Sequence, residues 1–357
     1  MRAVGKIIYY PLIAINAIVA ALLVASGWSS YLYVSSFPIV SLIGMAFPAI
    51  LAINLLFLLI WLIFWKRALW LPLLAIALTI KPILTYSPLH LSKEPAESED
   101  GIIKILSYNT YYLNIFKIGK SGTDNPIINY VNQSGADIIC LQESNSGALK
   151  NLINNDKDFL PDHKHSCHAV NMSTFSRWPI IEWKEIKFPD SGNCCLYSRI
   201  LMGSDTIAVY NCHFQSFGLN QDEIDDYNHL IENPKDTASY KGSKSALRKL
   251  MRAAVKRAGQ GEMIAEMIDK EDAGYILLCG DFNDTPLSYT HRILAKRLTD
   301  VYAASGFGPG ISYNRNRLYF RIDHTFCNKA LKPMHCHVDK SIKDSDHYPE
   351  ISYLRLQ

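Results

Sequence analysis

The chain has 357 residues, a formal net charge of +3 and a mean hydropathy of +0.02. That length accommodates two domains, or one large domain with an appendage. So small a net charge excludes a strongly basic or acidic protein whose charge alone would dictate its partner.

The near-zero hydropathy averages two unlike parts: residues 1–90 carry almost no charge, whereas residues 91–357 have the mixed charge of an ordinary soluble domain. Ile7–Gly27 and Ile39–Trp65 are apolar and uncharged, and a third run, Ala68–Ile80, continues past Lys81 to about Tyr86. A bilayer core takes about 20 apolar residues per helix, so about three transmembrane helices are predicted, at 7–27, 39–65 and 68–86. A cleaved signal peptide is the competing reading of the first run; its length and the two runs behind it argue against that. Arg2 and Lys6 precede the first helix, the loop 28–38 is uncharged, and Lys66 and Arg67 follow the second helix. The positive-inside rule then puts the N-terminus and residues 66–67 in the cytoplasm and everything from residue 91 onward outside. For a bacterium this predicts an integral inner-membrane protein with an extracytoplasmic second part, contacting the lipid bilayer through its N-terminal helices. A polar stretch from residue 87, with the linker proper at 91–101, leads out of the membrane region.

From residue 102 onward, short runs rich in β-branched residues recur, each ending in polar residues: 102–110, 136–144, 173–183, 194–202, 206–216, 274–284, 318–328 and 347–356. They read as strands. Helical spacing marks 126–135 and the longer 243–271, where Leu247, Leu250, Met251, Ala254 and Val255 are expected to form the apolar stripe. Many strands with interposed helices predict an α/β domain layered on packed sheets. The basic residues of the long helix, Lys244, Arg248, Lys249, Arg252, Lys256 and Arg257, read first as a solvated face and second as a surface steering phosphate-rich substrates. Arg257 and Gln260 are placed to point toward a site.

All eight cysteines fall in this part. Cys140, Cys212 and Cys279 sit in strand cores as small hydrophobes; Cys167, Cys194, Cys195, Cys327 and Cys336 leave a disulfide open without assigning one. "HKHSCH" (163–168) and "HCH" (335–337) lack the paired frame of a zinc site.

The informative feature is what stands at the strand ends: Asn109, Glu143, His213, Asp281 with Asn283, Asp323, and Asp346–His347. One carboxylate at a strand end is an ordinary turn former; an ordered series is expected to converge. The set suits metal-assisted phosphoester hydrolysis. Asn109, Glu143 and Asp346 offer the hard oxygens that Mg²⁺ prefers, or Mn²⁺ in its place. Asp281 and Asn283 are suited to orient or deprotonate a water. Asp323 would fix the tautomer of His347, and His347 and His213 would donate to the phosphoryl oxygens.

These motifs, "SYNT" (107–110), "LQES" (141–144), "NCHFQS" (211–216), "GDFND" (280–284), "RIDH" (321–324) and "SDHYPE" (345–350), with "FSRWPI" (175–180) between them, resemble in order those of the endonuclease/exonuclease/phosphatase superfamily, over roughly 102–354. The resemblance implies a four-layered α/β sandwich, two packed central sheets flanked by helices, as a catalytic domain at 102–357. It also implies dependence on Mg²⁺ or Mn²⁺ and a phosphoester substrate: a lipid headgroup, a nucleic acid or a small phosphodiester. Two departures stand out: His324, where Tyr is more usual, and the long polar segment 217–245, a candidate substrate-selecting loop. The expected activity is a membrane-anchored metal-dependent phosphoesterase with no obligate protein partner. A DNase-like nuclease and a sphingomyelinase-like phosphodiesterase are the alternatives, and a catalytically inactive tethered module is the non-enzyme alternative.

Overall fold

The structure, a computed structural model, describes residues 2–64, 66–96, 99–115, 124–218, 222, 225, 229, 237–315 and 319–357. Helix α1 runs unbroken from Arg2 to Gly27 and is, among the described residues, the one helix long and apolar enough to cross a membrane by itself. The second and third apolar runs depart from the continuous helices expected of them. α2 (Ile39–Met45) and α3 (Phe47–Ile63) meet at 51°, and α4 (Trp70–Leu78), with the turn before it, meets α5 (Ile80–Tyr86) at 61°, so each pair is a span only if the bent pair counts as one. The cause is proline. Pro48 and Pro82 have no N–H for the carbonyls of Gly44 and Leu78 four residues back. The Leu78 carbonyl is satisfied instead by the Trp28 indole, at 3.0 Å.

The helices pack through buried apolar clusters, with Trp61 donating to the Asn16 side chain at 2.8 Å in their midst. Lys66 lies over the Tyr9 ring, so the 66–67 turn sits beside the early part of α1. The loop after α1 and the end of α5 lie at the other end of the bundle, against the soluble domain.

That domain has two six-stranded sheets. The first is ordered β11-β12-β1-β2-β4-β3, from β1 (Ile102–Asn109), β2 (Ile138–Gln142), β3 (His165–Ala169), β4 (Met172–Ser176), β11 (Leu331–Val338) and β12 (Glu350–Leu356). The second is β5-β6-β7-β8-β10-β9, from β5 (Ile180–Lys187), β6 (Cys194–Met202), β7 (Asp205–His213), β8 (Tyr275–Asp281), β9 (Thr299–Asp300) and β10 (Asp323–Cys327). In each sheet one central pair is parallel, β1 with β2 and β7 with β8, and the other pairs are antiparallel.

Alternation builds four layers. Leu106, Tyr108, Ile139 and Leu141 face outward onto α6 (Pro126–Gln133) and α7 (Ser146–Asn155). Ile103, Ile105, Ile138, Cys140, Val209, Leu277 and Cys279 face the gap between the sheets. Ala208, Tyr210, Ile276 and Leu278 cover α8 (Thr237–Ile268) and α9 (Tyr289–Ala295). This is the two-sheet sandwich anticipated. All eight cysteines are buried and free, so none of the five open ones is in a disulfide.

The stripe expected on α8 is met in part: its Ala254 is buried, and Leu250, Met251 and Val255 are half-buried. Leu247 is exposed, whereas Ala246, Ala253, Ala254 and Ala258 are buried. Ala254 and Ala258 pack on Val34 and Val40 of the N-terminal region, so small residues were selected for close approach, not the larger Leu. Leu287, after strand β8, joins Ala20, Leu23, Phe47, Ala75 and Tyr86 in one cluster. Arg321 donates to the Thr85 carbonyl at 2.6 Å, and Arg292 to the Ser30 carbonyl at 2.7 Å. Residues 88–90 run along the strand-end loops, with Leu89 bridging Phe307 and Gly308 donating to the Pro88 carbonyl. The polar stretch from residue 87 is therefore pinned where it leaves the helices.

Candidate active site

The inward-facing rows of the central strands end in polar side chains at the same edge of the sandwich. Along β1 the row reads Ile103, Ile105, Ser107, Asn109; along β7, Ile207, Val209, Asn211, His213; along β8, Leu277, Cys279, Asp281. Below that edge lies a buried polar rung absent from the sequence-based reading. Gln142 donates to the Asn211 side chain at 2.8 Å, and Asn211 donates to the carbonyls of Ser173 and Leu141 at 3.1 and 3.3 Å. A buried amide pair makes these hydrogen bonds only in this register, so it fixes the two sheets against each other.

Asp281 is the hub. Its Oδ2 accepts from Asn109 Nδ2 at 3.0 Å and from Asn283 Nδ2 at 3.2 Å, and lies 3.5 Å from His213 Nε2 and 3.7 Å from His347 Nε2. Its Oδ1 accepts from the Asn283 backbone at 2.8 Å. Gly280 orients it: its φ is +132°, and a Cβ there would run into the Cys212 carbonyl of the neighbouring strand. Asn283 follows with a φ of +50° and donates to the Phe214 carbonyl at 3.2 Å.

Across the cleft, Asp323 Oδ2 accepts from His347 Nδ1 at 2.7 Å, with both residues buried. Ser312 holds Asp323 through its backbone N–H at 3.1 Å. His347 lies in the loop before β12, not in a strand, and Ser345 tethers that loop to the Asn109 carbonyl at 2.7 Å. Burial works to lower the His347 pKa, but the Asp323, Asp281 and Asp346 carboxylates outweigh it and push it up to about 10. Burial raises Asp323 above its ordinary value, opposed by His347.

Glu143 stands just past β2 with a φ of +46°, a strained conformation for a non-glycine residue. Its Oε1 is 3.7 Å from His213 Nε2. Burial lifts its pKa, the two imidazoles oppose that, and Asp281 and Asp346 add to the lift. Among the described residues, Asp346 has a single long contact, 3.9 Å, to Arg315. Among the described residues the Glu143 carboxylate accepts no hydrogen bond. Mutually repelling carboxylates with an empty lone-pair inventory fit a divalent cation, and oxygen donors fit a hard one. Asn109 is less free than expected, since its Oδ1 accepts from the Tyr111 backbone at 3.1 Å.

The tightest grouping of ligand-type atoms here, Asp281, Asp323 and His347 within 4.8 Å, is accounted for by the Asp323–His347 hydrogen bond. Two other groups lie outside the site. His291, Asp300 and His324 form a buried knot in which Asp300 accepts from His291 Nε2 and from the Ala303 backbone, capping α10 (Val301–Ser305). His335 and His337 of "HCH" meet Glu94 near the surface, whereas the histidines of "HKHSCH" join no such group among the described residues. His324 is a packing residue as expected, with its ring on Phe282 and Nε2 against the Asp284 carbonyl at 2.9 Å.

Arg257 corrects the solvated-face reading of α8. It is 1% exposed, pairs with Asp284 at 3.2 Å and donates to the Gln215 carbonyl at 3.1 Å, while Gln260 accepts from the Gln215 backbone at 2.8 Å. Together they brace the loops behind His213 and Asp281. Most of the segment 217–245, the candidate substrate-selecting loop, lies outside the described residues.

An α/β sandwich with acid and imidazole groups converging at one edge of its sheets has the architecture of a metal-dependent phosphoester hydrolase. The Endonuclease/Exonuclease/phosphatase family model matches residues 106–347, and the chain belongs to that family. It is a hydrolase of phosphoester bonds that uses a divalent metal. A second model, Domain of unknown function (DUF8431), matches residues 6–86. No curated protein matches the chain. Among solved structures, humanized D. rerio TDP2 with 14 mutations is 14% identical with a TM-score of 0.50, covering 72% of this chain and 100% of its own. An endonuclease/exonuclease/phosphatase from Bacteroides vulgatus is 13% identical (72% and 99% covered, TM-score 0.48). Sphingomyelinase C from Streptomyces griseocarneus is 15% identical (71% and 99% covered, TM-score 0.47).

Proposed function

We propose that this protein is a membrane-embedded phosphodiesterase whose substrate is a phosphoester at the membrane surface, a phospholipid headgroup in the first instance. The observation carrying this reading is the docking of the catalytic edge on the helix ends. Leu287 packs among α1, α3, α4 and α5 four residues after Asn283, and Arg321 holds the Thr85 carbonyl two residues before Asp323. With α1 and the two bent pairs in a bilayer (residues 1–90, with the linker 91–101 and the catalytic domain at 102–357), the cleft sits beside the lipid headgroups. The charge pattern supports an extracytoplasmic domain on a bacterial inner membrane. Lys66 lies beside the early part of α1, and the domain rests at the opposite end of the bundle.

In this reading Asn109, Glu143 and Asp346 would hold the ion, Mg²⁺ or Mn²⁺, which would supply charge neutralisation for the phosphoryl and leaving oxygens. Asp281, oriented by Asn109 and Asn283, positions and deprotonates the attacking water. His347, aligned by Asp323, and His213 donate to the phosphoryl oxygens as charge develops there.

Nucleic acid is the second reading. Lys244, Arg248, Arg252 and Lys256 are exposed at four-residue intervals along α8, a stripe suited to a polyanion. The test is the full chain in liposomes, assayed with Mg²⁺, Mn²⁺ or EDTA for release of lipid phosphate and for cleavage of DNA and RNA. Metal-dependent headgroup release is expected. Nucleic-acid cleavage without lipid hydrolysis would sink the lipid reading.

A further inference from the structure

The third apolar run carries one charge that nothing so far explains, Lys81. It sits at the 61° bend, beside the Pro82 that ends α4. Its ammonium is exposed and, among the described residues, has no hydrogen bond or ion pair. Lys81 lines a cavity of about 200 Å³ together with Arg292 and Lys296 from the far side of the docking interface. Lys296, just past α9, is likewise exposed and without a partner for its ammonium. Arg292 is held in place: its Nε donates to the Ser30 carbonyl, and its guanidinium lies 4.8 Å from the Tyr31 ring centre and 5.3 Å from that of Tyr289.

No Asp or Glu lines this cavity. His291 also lines it, but its Nε2 is taken by Asp300. Three cations around one hole repel each other unless an anion joins them. The volume suits a phosphate-bearing headgroup and is too small for a polymer segment. One wall comes from Gly27, Trp28 and Pro82 of the helix region, the other from Pro286 and Leu287. The hole therefore lies where the apolar helix surfaces meet the soluble domain. Tyr31, Leu32, Phe37 and Ile39 nearby in sequence are each more than half exposed, an apolar surface along which acyl chains can lie. Basic pockets at helix ends are a known means of holding anionic headgroups.

We propose that this cavity binds the phosphate-bearing headgroup of an anionic phospholipid, seated between the helices and the catalytic domain and separate from the hydrolytic cleft. The proposal rests on the bilayer reading of the helices given above. Because Pro286 and Leu287 form its wall, the bound lipid buttresses the loop that carries Asp281 and Asn283.

The test uses the full chain in neutral detergent, carrying Glu143→Gln so that turnover does not consume the probe. Binding of fluorescent phosphatidylglycerol is compared with phosphatidylcholine, with inorganic phosphate as competitor. Phosphatidylglycerol is expected to bind at least about tenfold more tightly than phosphatidylcholine, and Lys81→Gln/Lys296→Gln is expected to lose about tenfold or more of that affinity. Both lysines are exposed, and an unchanged melting curve certifies the fold; Lys296→Glu alone serves if the double variant does not fold. Equal affinity for the two lipids, or unchanged affinity in the folded variants, overturns the proposal. Inorganic phosphate binding as tightly as phosphatidylglycerol overturns the lipid assignment and leaves a free-anion site. Carbonate extraction of native membranes tests the bilayer reading separately: a chain that resists extraction yet shows no lipid preference refutes the pocket alone.

Discussion

His347 and Asp323 form a buried pair in which a 2.7 Å hydrogen bond joins Nδ1 to the carboxylate and leaves Nε2 facing Asp281 at 3.7 Å. The bond orients the ring, and the carboxylate charge favours its imidazolium form through neutral pH. Asp323→Asn keeps the shape and removes the charge. The turnover number is expected to fall by about 10² to 10⁴ with little change in KM. The pH profile carries the sign. His347 loses its proton near 10 in the native site and at lower pH without Asp323, so the variant's residual activity declines through the neutral range where the native enzyme holds. A native-like rate with a flat profile would contradict this role.

Glu350 opens β12 with both carboxyl oxygens buried and, among the described residues, without a hydrogen bond. Burial pushes its pKa up to about 8, opposed by the nearby Thr325 hydroxyl and the Arg321 charge. A folded-state pKa above the unfolded value means stability is fully present below about 4.5, declines as pH rises through the interval, and levels off above about 8. Glu350→Gln keeps the neutral shape, so it is expected to flatten the melting temperature between pH 6 and 9 and to gain on the order of 2 kcal/mol at the alkaline end. Parallel native and variant curves would show that the carboxyl ionises without cost.

At Gly280 both the φ of +132° and the Cys212 carbonyl forbid a side chain. Gly280→Ala is expected to cost about 3 kcal/mol or more in denaturant unfolding. A loss below about 0.5 kcal/mol would mean that the strand pair relaxes around the methyl group.

Leu287 and Arg321 find their partners on the N-terminal helices. Residues 91–357 alone leave an apolar side chain in water and a buried guanidinium without its acceptor. This fragment is expected to melt below the full chain and to aggregate; Leu287→Ser should improve the fragment's solubility while costing the full chain about 2 kcal/mol or more. Equal melting temperatures for fragment and full chain would show that the interface contributes nothing.

Much of this was legible in the sequence because polar side chains at strand ends interrupt apolar runs. Asn109, His213 and Asp281 each close an alternating inward row, a pattern that a linear reading registers. Other parts were not legible. β3 and β11 are edge strands rich in histidine; each buries only a few residues, Cys167 and Ala169 in one, Leu331 and Cys336 in the other, so neither shows a long apolar alternation. The Gln142–Asn211 rung joins residues 69 apart in sequence and exists only once the sheets stack. The buried face of α8 was legible at Ala254 but not at Ala258, because its partner, Val34 and Val40, lies in another part of the chain; spacing alone favours the bulkier Leu247. The breaks at Pro48 and Pro82 were visible as residues, but whether a proline kinks a helix or ends it depends on what satisfies the orphaned carbonyl. At Leu78 that is Trp28, 50 residues away.

The two sheets repeat one plan, each with a central parallel pair flanked by antiparallel neighbours. Asn109 ends β1 as His213 ends β7, and Glu143 follows β2 where Asp281 ends β8. Each half-sandwich thus brings two of these four groups, and they meet only across the gap between the halves. Hydrolytic competence is then a property of the seam, and a small shear between the sheets would part the Asn109–Asp281 and Glu143–His213 contacts together while leaving each sheet's own ladder intact.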